Sequence, residues 1–590
     1  MGNKALILHT VSDARHCVAN DLHKGRLLFC TRSSVEVFFR ETLSVQCRCL
    51  SSFFSDEGVF RLKDSASLAV DNIIDSLDKN ISPVLNARYG LNMNYFRCLY
   101  SYYGKYQYMG YLILYEAIKR ISKQFDLSEI VLYDYKFNVF IETDKSFSDI
   151  VSLHNNGVNT KVITYQGTVE SGSGITLPNV LKRIRRRPLY VLEKLLRQLT
   201  AELHYRRFSK GRKTLLFYGH LYELDFLINS LNEYNIISYD YNGYVPVGFR
   251  PKEYVSDVSV DYSDFTDDIE GRTAKVVLSD LKYDFSTNIS KYINAVLLLR
   301  DIQKKYPVSL GIWGNSPVTG VKAFIIEYLR SEGITILGAQ HGCLFGDSYV
   351  PWHFDADLSR CTKFISYGFT EADLRRLYPL KGQHAEIVPL GKTKLPKLKM
   401  SGKRIDILFP ITNSLSILEG GMDRTLPHKL TERQVDILNY LNGLQDFKTY
   451  IKPFRDSNYD NCPVIPILKK MNNLTVVYDM VLLEFFEKYH PAAIIMELPS
   501  QPLFEVLHMD SEIFLMNSEL HPYEGQALYE LKKRVHFAYD TGELISMFEL
   551  YVSGKLEKKR DQTFSHHYVC KENTKENIFK LIHGLCESRG

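Results

Sequence analysis

The sequence predicts an α/β protein built from parallel sheets. Apolar runs of strand length alternate with helical stretches through almost all of its 590 residues, which is the pattern of successive β-α-β units. Several runs are nearly continuous in apolar residues, as strands buried on both faces are. Because such folds bind ligands beyond the carboxyl ends of their strands, we expect the functional residues at strand ends.

The chain is longer than one hydrophobic core usually supports, so we expect two or three domains. Residues 1–175 are predicted to form an N-terminal α/β region with a helix-rich interval at 71–123. The predicted strands of this region span residues 5–9, 26–30, 129–133 and 161–165.

A second α/β series occupies residues 214–395 and is predicted to complete the N-terminal, acceptor-side domain. A third series, residues 396–590, follows a basic stretch at 391–404 that is broken by proline and glycine, as interdomain linkers often are. The predicted strands are 214–218, 236–239, 308–313, 334–337, 363–367 and 386–390, then 405–409, 448–451, 474–478, 493–496, 513–516 and 535–538. A helical pattern at 573–586 is predicted to pack back across the joint.

Composition narrows the functional class. Hydrophobic residues make up 45% of the chain and charged residues 24%, as in soluble globular proteins. The ten cysteines lack the spacing of a disulfide framework or a zinc site, and the close pair Cys47 and Cys49 has no second pair at ligand spacing, so we expect no bound metal. The first residues lack a signal-peptide pattern, and no apolar stretch approaches the ~20 residues that span a bilayer. We therefore expect a cytoplasmic protein.

The positive charge is concentrated in one segment. The net charge is only +5, yet residues 180–213 hold twelve Lys or Arg against two Glu. Leucines recur at helical spacing between Leu189 and Leu199, so residues 176–213 are predicted to form a basic amphipathic helix on the inner, anionic face of a membrane. A solvated helix over a domain joint is the alternative. No module that reads nucleic acid accompanies the charge, so we expect no nucleic-acid partner.

Two strand ends carry polar residues suited to ligand binding. The apolar run 334–339 ends at Gln340 and His341, which lie in a loop bounded by glycines. The run 492–496 is followed by Glu-Leu-Pro-Ser, in which Ser500 is expected to cap the next helix. Either segment alone also fits an ordinary strand-turn-helix, but together they favour a nucleotide-sugar enzyme.

The helix after Ser500 has the chemistry to hold a nucleotide. Free backbone N–H groups in its first turn, assisted by the helix dipole, would bind a phosphate. Glu505, about one turn along, would accept hydrogen bonds from ribose hydroxyls.

Five segments carry a resemblance to a known class of enzymes: Trp313-Gly314, Gln340-His341-Gly342, Ser366-Tyr-Gly-Phe369, Gly391-Lys-Thr-Lys394 and Glu497-Leu-Pro-Ser-Gln-Pro-Leu-Phe-Glu505. Over roughly residues 305–590 the chain resembles bacterial surface-polysaccharide glycosyltransferases. Among these it is similar to the capsule and lipopolysaccharide Kdo transferases, which use a CMP-sugar, and to CDP-glycerol-type polymer transferases. The resemblance implies a GT-B-like fold, in which two Rossmann-like domains face a central cleft, here with a helical basic insertion in the N-terminal half.

The resemblance also implies that the C-terminal domain binds the nucleotide of an activated sugar. Lys452 and Arg455 follow the predicted strand 448–451 and are placed to bind its phosphates, although surface charge is the alternative. Their Lys-Pro-Phe-Arg loop departs from the Lys-x-His-Pro form of related enzymes. His521-Pro522 resembles the His-Pro pairs of CMP-sugar enzymes, and a simple turn is the alternative. Gln340, Glu497, Ser500 and Glu505 complete the predicted donor site.

Glycosyl transfer needs a base for the acceptor hydroxyl, or a carboxylate nucleophile if configuration is retained. His341 is a candidate acid, base or hydrogen-bond donor because histidine titrates near neutral pH. Asp225, after the strand 214–218, is the first carboxylate candidate and Glu142 is a weaker one; helix capping is the structural alternative. Asp355-Ala-Asp357 matches a metal-binding Asp-x-Asp pattern but is interpreted as a surface loop, and a metal-independent reaction without other cofactors is expected.

These inferences predict a cytoplasmic glycosyltransferase, possibly peripheral on the inner membrane face, that transfers a sugar from CMP-Kdo or a similar CMP-sugar to a lipid-linked surface polysaccharide. A transferase of polyol phosphate from CDP-glycerol or CDP-ribitol is the enzymatic alternative. An inactive nucleotide-binding or scaffold protein of envelope polysaccharide assembly is the alternative of another class.

Overall fold

The described part of the chain forms three sheets, and the strands within each sheet are parallel. The computed structural model describes residues 2–133, 141–152, 158–163, 209, 211–218, 221–239, 268–350, 352–379, 385–396, 402–418 and 424–588. The predicted α/β class is confirmed. The region predicted as the N-terminal half contains two of the three sheets.

The N-terminal sheet contains β1 Asn3–Leu8, β2 Leu27–Cys30, β3 Cys47–Cys49, β4 Leu127–Tyr133 and β5 Asn159–Ile163. Its strand order is β3-β2-β1-β4-β5. Leu6 of β1 pairs with Leu28 on one side and with Val131 on the other. The sheet therefore grows in both directions from β1, as in a doubly wound fold.

The central sheet contains β6 Thr214–Tyr218, β7 Asn235–Tyr239, β8 Val308–Trp313, β9 Thr335–Ala339, β10 Lys363–Ser366 and β11 Glu386–Pro389. Its order, β11-β10-β9-β8-β6-β7, reverses between β6 and β8. Gly314 lies directly at this reversal, where a Cβ atom would overlap the backbone of Leu221. A residue without a side chain is required there because the two loops touch.

The C-terminal sheet contains β12 Lys403–Pro410, β13 Thr449–Lys452, β14 Leu474–Val476, β15 Tyr489–Met496, β16 Glu512–Met516 and β17 His536–Ala538. Its order, β14-β13-β12-β15-β16-β17, is the strand order of dinucleotide-binding Rossmann domains. The reversal lies between β12 and β15, which pair through Leu408 and Ile494. This is the position at which such sheets bind ligands.

Helices surround the sheets and bury their apolar faces against them. Many begin at a side chain that caps the first turn, such as Thr10, Thr370 and Asp540. The helices are Val11–Ala19, Ser33–Leu43, Asp56–Tyr89, Tyr95–Tyr100, Tyr103–Phe125, Phe147–Ser152, Ile269–Gln303, Gly320–Ser331, His353–Ala356, Glu371–Leu377, Pro427–Gly443, Ile465–Leu468, Leu482–Lys488, Gln501–Val506, Gly525–Lys532, Thr541–Val552, Thr563–Tyr568 and Thr574–Glu587, with short 3-10 helices at Leu50–Phe53, Tyr222–Asn229 and Leu358–Arg360.

Long helices connect the N-terminal and central sheets. Tyr111 and Gln107 of the helix Tyr103–Phe125 donate hydrogen bonds to Asp280 of the helix Ile269–Gln303, at 2.7 Å and 2.6 Å. The buried ammonium of Lys105 lies 2.7 Å from Asp355 of the central unit. A buried charge that is paired and hydrogen-bonded in this way fixes two units in one orientation.

The last helix returns from the C-terminal unit to the central sheet. Ile578, Ile582 and Cys586 lie in one buried cluster with Leu215 of β6 and Leu310 of β8. The prediction that this helix packs back across the joint is confirmed.

The predicted membrane-binding helix lies outside the described residues, apart from its last few positions, and the three boundaries between the four predicted segments stay predictions. In the described part of the chain, no helix combines the length and apolar character needed to cross a bilayer.

Candidate functional site

The loops at the carboxyl ends of the central and C-terminal sheets contact each other, and we call the region between these strand ends the crevice. The loop after β9 and the loop after β16 are joined there by two backbone hydrogen bonds, Tyr349 N–H to Pro522 C=O at 2.9 Å and Glu524 N–H to Asp347 C=O at 2.8 Å. The loop after β9 carries His341, and the loop after β16 carries His521. Two segments that sequence reasoning selected separately are therefore in direct contact.

Gln340 holds the loop after β9 in shape. Its side-chain carbonyl accepts from the backbone N–H of Tyr367 at 2.8 Å, and its amide donates to the carbonyl of Gly342 at 2.7 Å. Both ends of this buried side chain are engaged by backbone. The geometry gives Gln340 a positioning task next to His341.

His341 lies half-buried at the central wall of the crevice. Its ring stacks on Tyr222, with ring centres 6.1 Å apart, and meets the edge of Phe345. Nδ1 is buried and lies 3.9 Å from Oδ1 of Asp357. Burial lowers the pKa of His341 to about 4, so the ring is neutral at pH 7.

The prediction that Asp355 and Asp357 form a surface loop is wrong. Both are buried, at 9% and 2% exposure, and they face different neighbours. Asp355 binds Lys105, whereas Asp357 faces His341. Within the described residues, no group of three or more Cys, His, Asp or Glu side chains is arranged to hold a metal ion.

A buried ion pair lies beside this wall. Lys392 Nζ is 2.5 Å from Oε1 of Glu223, and the other oxygen of Glu223 accepts from the backbone N–H of Thr393 and Lys394 at 3.1 Å and 2.8 Å. Lys392 also lies 5.1 Å from the centre of the Tyr367 ring. The cluster connects the carboxyl ends of β6, β10 and β11.

Glu505 is the nearest acidic group on the opposite wall. It lies in the helix Gln501–Val506 at 5% exposure and accepts a 3.3 Å hydrogen bond from Gln501. Burial raises its pKa to about 7, and the positive charge of Lys392 partly offsets this effect. Glu505 therefore links the predicted donor half to the Lys392 cluster.

Glu497 lies directly after β15, at the reversal of the C-terminal sheet. Its Oε1 accepts hydrogen bonds from Thr412 N–H, after β12, and from the amide of Gln434. Its Oε2 is buried and has no hydrogen-bond partner within the described part of the chain. Burial raises its pKa to about 7. The carboxylate is thus at the position where the fold binds ligands.

The other predicted donor residues differ in accessibility. Ser500 precedes the helix Gln501–Val506, as predicted, but its side chain forms no capping hydrogen bond. Lys452 is buried and donates to the carbonyl of Pro453 at 2.7 Å, while Arg455 is exposed. His521 is buried at the contact between the two loops.

The two carboxylates predicted as catalytic lie away from His341's buried face. Asp225 is exposed and pairs with Lys394 at 2.6 Å. Glu142 is exposed beside the helix Ile269–Gln303, where its backbone N–H donates to Asp284. The structure does not bring Glu142 to the crevice between the central and C-terminal sheets.

Sequence reasoning missed Asp347 and Arg424, and among the polar residues after the strand 214–218 it preferred Asp225 to Glu223. Asp347 is fully buried beside Cys343, burial raises its pKa to about 7, and neither carboxylate oxygen has a side-chain partner in the described ranges. Arg424 lies half-buried and near enough to Cys343 to influence its pKa. The signal in the sequence that could have led to Glu223 was its position two residues before the predicted Asp225.

Fold and site together define a class: an α/β protein with Rossmann-like parallel sheets and a polar crevice between the carboxyl ends of two of them. No protein-family model and no curated protein sequence matches the chain.

Solved structures of similar shape share little sequence with the chain. A UDP-GlcNAc 2-epimerase from Neisseria meningitidis, bound to UDP-GlcNAc, is 12% identical with a TM-score of 0.37 and covers 63% of this chain and 100% of its own. The glycosyltransferase VinC in complex with dTDP is 10% identical with a TM-score of 0.34, covering 64% and 100%. TarM is 10% identical with a TM-score of 0.31, covering 52% and 60%. Because these scores lie below 0.5, the function has to be argued from the chain's own side chains.

Proposed function

We propose that this protein is a glycosyltransferase that uses a nucleotide-activated sugar. The observation that carries the proposal is the crevice in which two doubly wound sheets meet at their carboxyl ends. Such ends bind ligands in parallel α/β folds, and here one wall supplies a titratable histidine while the other has the Rossmann strand order. A two-substrate transfer needs these two walls to face each other.

Buried polar atoms without partners support a ligand in this crevice. Glu497 Oε2 and both carboxylate oxygens of Asp347 are buried and lack hydrogen bonds within the described residues. Leaving such an atom unsatisfied costs about 1–3 kcal/mol, so their placement near strand ends favours sites that ligand or water completes. A scaffold protein has no need for this arrangement.

The donor would lie on the C-terminal wall. Glu505 would accept hydrogen bonds from the ribose, and Ser500 and Glu497 would bind near the sheet reversal. Lys452, Arg455 and Arg424 would provide positive charge for the phosphates, with His521 beside them. No metal is part of the proposed reaction.

The acceptor hydroxyl would lose its proton to His341. Its Nδ1 is turned into the protein, so Nε2 is the ring nitrogen left for the crevice. Asp225 is the alternative base, and its exposed ion pair with Lys394 would have to open first. Glu142 is the third candidate.

The finer assignment follows the sequence resemblance. The donor is proposed to be CMP-Kdo or a similar CMP-sugar, and the acceptor a lipid-linked surface polysaccharide. Residues 180–213 would hold the protein on the inner face of the membrane through their positive charge.

The first test is a thermal-shift panel of CMP, CDP, UDP, GDP and ADP, each with and without magnesium. Selective stabilisation by CMP without magnesium is expected; at a ligand concentration of 100 times Kd it amounts to about 2.7 kcal/mol. Preference for CDP would indicate a polyol-phosphate transferase instead. UDP or GDP preference would replace the donor, and no shift with any nucleotide would contradict the proposal and favour a scaffold.

A further inference from the structure

The side chain of Asp357 faces His341 from within the central unit. The two nearest atoms, Asp357 Oδ1 and His341 Nδ1, are 3.9 Å apart, and both are buried without a hydrogen bond in the part of the chain that the structure describes. A carboxyl oxygen and an imidazole nitrogen are natural hydrogen-bond partners. A movement of about 1 Å would bring them to bonding distance.

The backbone of Asp357 is anchored beside the buried side chain of Arg360. The backbone carbonyl of Asp357 accepts from Arg360 N–H at 3.2 Å. The guanidinium of Arg360 is buried and donates to the carbonyls of Asp355 and Cys98 and to the hydroxyl of Ser101, at 3.1 Å, 2.6 Å and 2.8 Å. The backbone that carries the Asp357 carboxyl group is therefore anchored next to a buried, fully engaged side chain.

The aromatic neighbours of His341 restrict how its ring can turn. Tyr222 stacks against one face, and Phe345 meets the ring at an interplanar angle of 66°. Rotation within this stack moves Nδ1 toward or away from Asp357 while Nε2 keeps facing outward. Hydrogen bonds of catalytic groups are often long before substrate binds and tighten in the complex.

We propose that Asp357 is a positioning residue that orients His341, so that Nε2 accepts the proton of the acceptor hydroxyl. This inference rests on the proposed transferase function and deepens it by naming the group that acts through the base. The oxygen of the deprotonated hydroxyl then forms a bond to the anomeric carbon of the donor. The bond from that carbon to the phosphate oxygen breaks, and its electron pair leaves with the nucleotide.

The protonation state of Asp357 decides which ring nitrogen can accept a proton. An ionised Asp357 accepts from Nδ1–H, which leaves the Nε2 lone pair free. A protonated Asp357 donates to Nδ1, so the ring proton lies on Nε2, which can then only donate. Base activity therefore requires the ionised form.

The surroundings of Asp357 raise the pH at which this form appears. Burial raises the pKa of Asp357 to about 8, and the charge of Arg360 opposes the rise. Cys361 is the other titratable neighbour, and its pKa is also raised by burial. Tyr222 is the titratable residue that stacks on the His341 ring. Burial alone accounts for the lowered pKa of His341. We expect the reactivity of Nε2 to increase as pH rises through about 8.

Diethyl pyrocarbonate tests the inference without a substrate. When it reacts with histidine, it acylates only a ring nitrogen that has a free lone pair. The full-length protein is treated across the range from about pH 6.5 to about pH 9, and modification of the His341 peptide is followed by mass spectrometry. The rate constant, corrected for reagent hydrolysis, is expected to rise about tenfold or more in the wild type. In Asp357→Asn this dependence should disappear, while Asp301→Asn, altered at an exposed ion pair with Lys304 far from the site, should behave like the wild type.

A flat pH profile in the wild type, or an unchanged rise in Asp357→Asn, would overturn the positioning role. Circular dichroism at each pH verifies that the Asn variant is folded; if it is not, Asp357→Glu takes its place, and a shifted or weakened profile is expected. In a transfer assay, Asp357→Asn should lower kcat with little change in KM for the donor and should lose the alkaline limb. If the protein binds a nucleotide but the reactivity of His341 does not depend on Asp357, only the positioning role is refuted. If that dependence is found but no nucleotide binds, the proposed transferase function is refuted.

Discussion

The C-terminal sheet has two joints with other sheets, and they are built differently. At one joint it meets the N-terminal sheet, and at the other it meets the central sheet. At both, loops that follow parallel strands face each other, so the fold alone would permit a ligand site at either. The side chains decide which joint is available.

The joint with the N-terminal sheet is closed by the protein's own polar groups. Asp460, from the loop after β13, accepts a 2.8 Å hydrogen bond from Val11 N–H at the start of the helix Val11–Ala19. Ile417 N–H donates to the carbonyl of Thr31 at 3.1 Å, and the hydroxyls of Ser33 and Ser414 lie 3.2 Å apart. A carboxylate already occupies the helix end where an anionic ligand would bind.

The joint with the central sheet keeps acidic groups buried and incompletely bonded. Asp347, Glu497 and Glu505 all have their pKa raised to about 7 by burial. His341 and Asp357 stop short of a hydrogen bond. Burial also raises the pKa of Glu36 at the N-terminal joint to about 7, so the joints differ in the open His341–Asp357 pair of the central joint and in the closed hydrogen bonds of the other.

The largest expected effect is on turnover. Once a donor is identified, His341→Gln should lower the transfer rate by about 10²- to 10⁴-fold, because the base is lost, and should leave donor-induced stabilisation unchanged. Asp225→Asn is the matched comparison. If Asp225→Asn abolishes transfer while His341→Gln retains it, the base is Asp225.

The second-largest expected effect is a loss of stability when the tight packing between the central and C-terminal units is disturbed. A Cβ atom on Gly368 would overlap the carbonyl of His567, so Gly368→Ala should destabilise the protein by about 1–3 kcal/mol. Urea unfolding measures the loss. Gly443→Ala, where a Cβ atom has open space, is the control and should be neutral or slightly stabilising. Equal stability of the two variants would mean that this joint is looser than the structure shows.

The acidic groups of the crevice should make stability depend on pH. In the folded protein the pKa values of Asp347, Glu497 and Glu505 lie above the usual values for carboxyl groups. Their contribution to the free energy of unfolding is therefore full at acid pH and is lost as pH rises through about 7. We expect the thermal midpoint to fall between about pH 4.5 and about pH 7, from the unfolded-state to the folded-state pKa of these groups, and Glu505→Gln to reduce that fall. Glu549→Gln, an exposed control, should not. An identical pH slope in Glu505→Gln and the wild type would contradict the buried, weakly paired state of Glu505.

Strand positions were readable from the sequence because buried parallel strands need apolar runs. β6 and β8 occur at the predicted residues, and the other predicted strands differ from the observed ones mainly at their ends. The missed strand, β3, spans only Cys47–Cys49 and has Arg48 at its centre. Its pairing with β2 is a tertiary contact that local periodicity does not reveal.

The site was predicted in part because strand ends can be located, whereas partners across the fold cannot. Gln340, His341, Glu497 and Ser500 do follow strands at the carboxyl edge. Glu223 and Asp225 are two residues apart, and only the structure shows that Glu223 is buried against Lys392 while Asp225 is exposed. The sequence singled out Asp357 only as part of an Asp-x-Asp pattern interpreted as a surface loop, and its place beside His341 is visible only in the structure.

The smallest expected effect tests the closed joint. Asp460→Ala removes the carboxylate that accepts from Val11 N–H, in a helix that Thr10 already caps, and should cost about 1 kcal/mol of stability, the net value of one hydrogen bond. Asp456→Ala, an exposed change in the same loop, is the control and should have no effect. Because this joint is proposed to be structural, nucleotide-induced stabilisation should be the same in Asp460→Ala as in the wild type. A selective loss of nucleotide binding in Asp460→Ala would place the ligand at the N-terminal joint and reverse the assignment of the two joints.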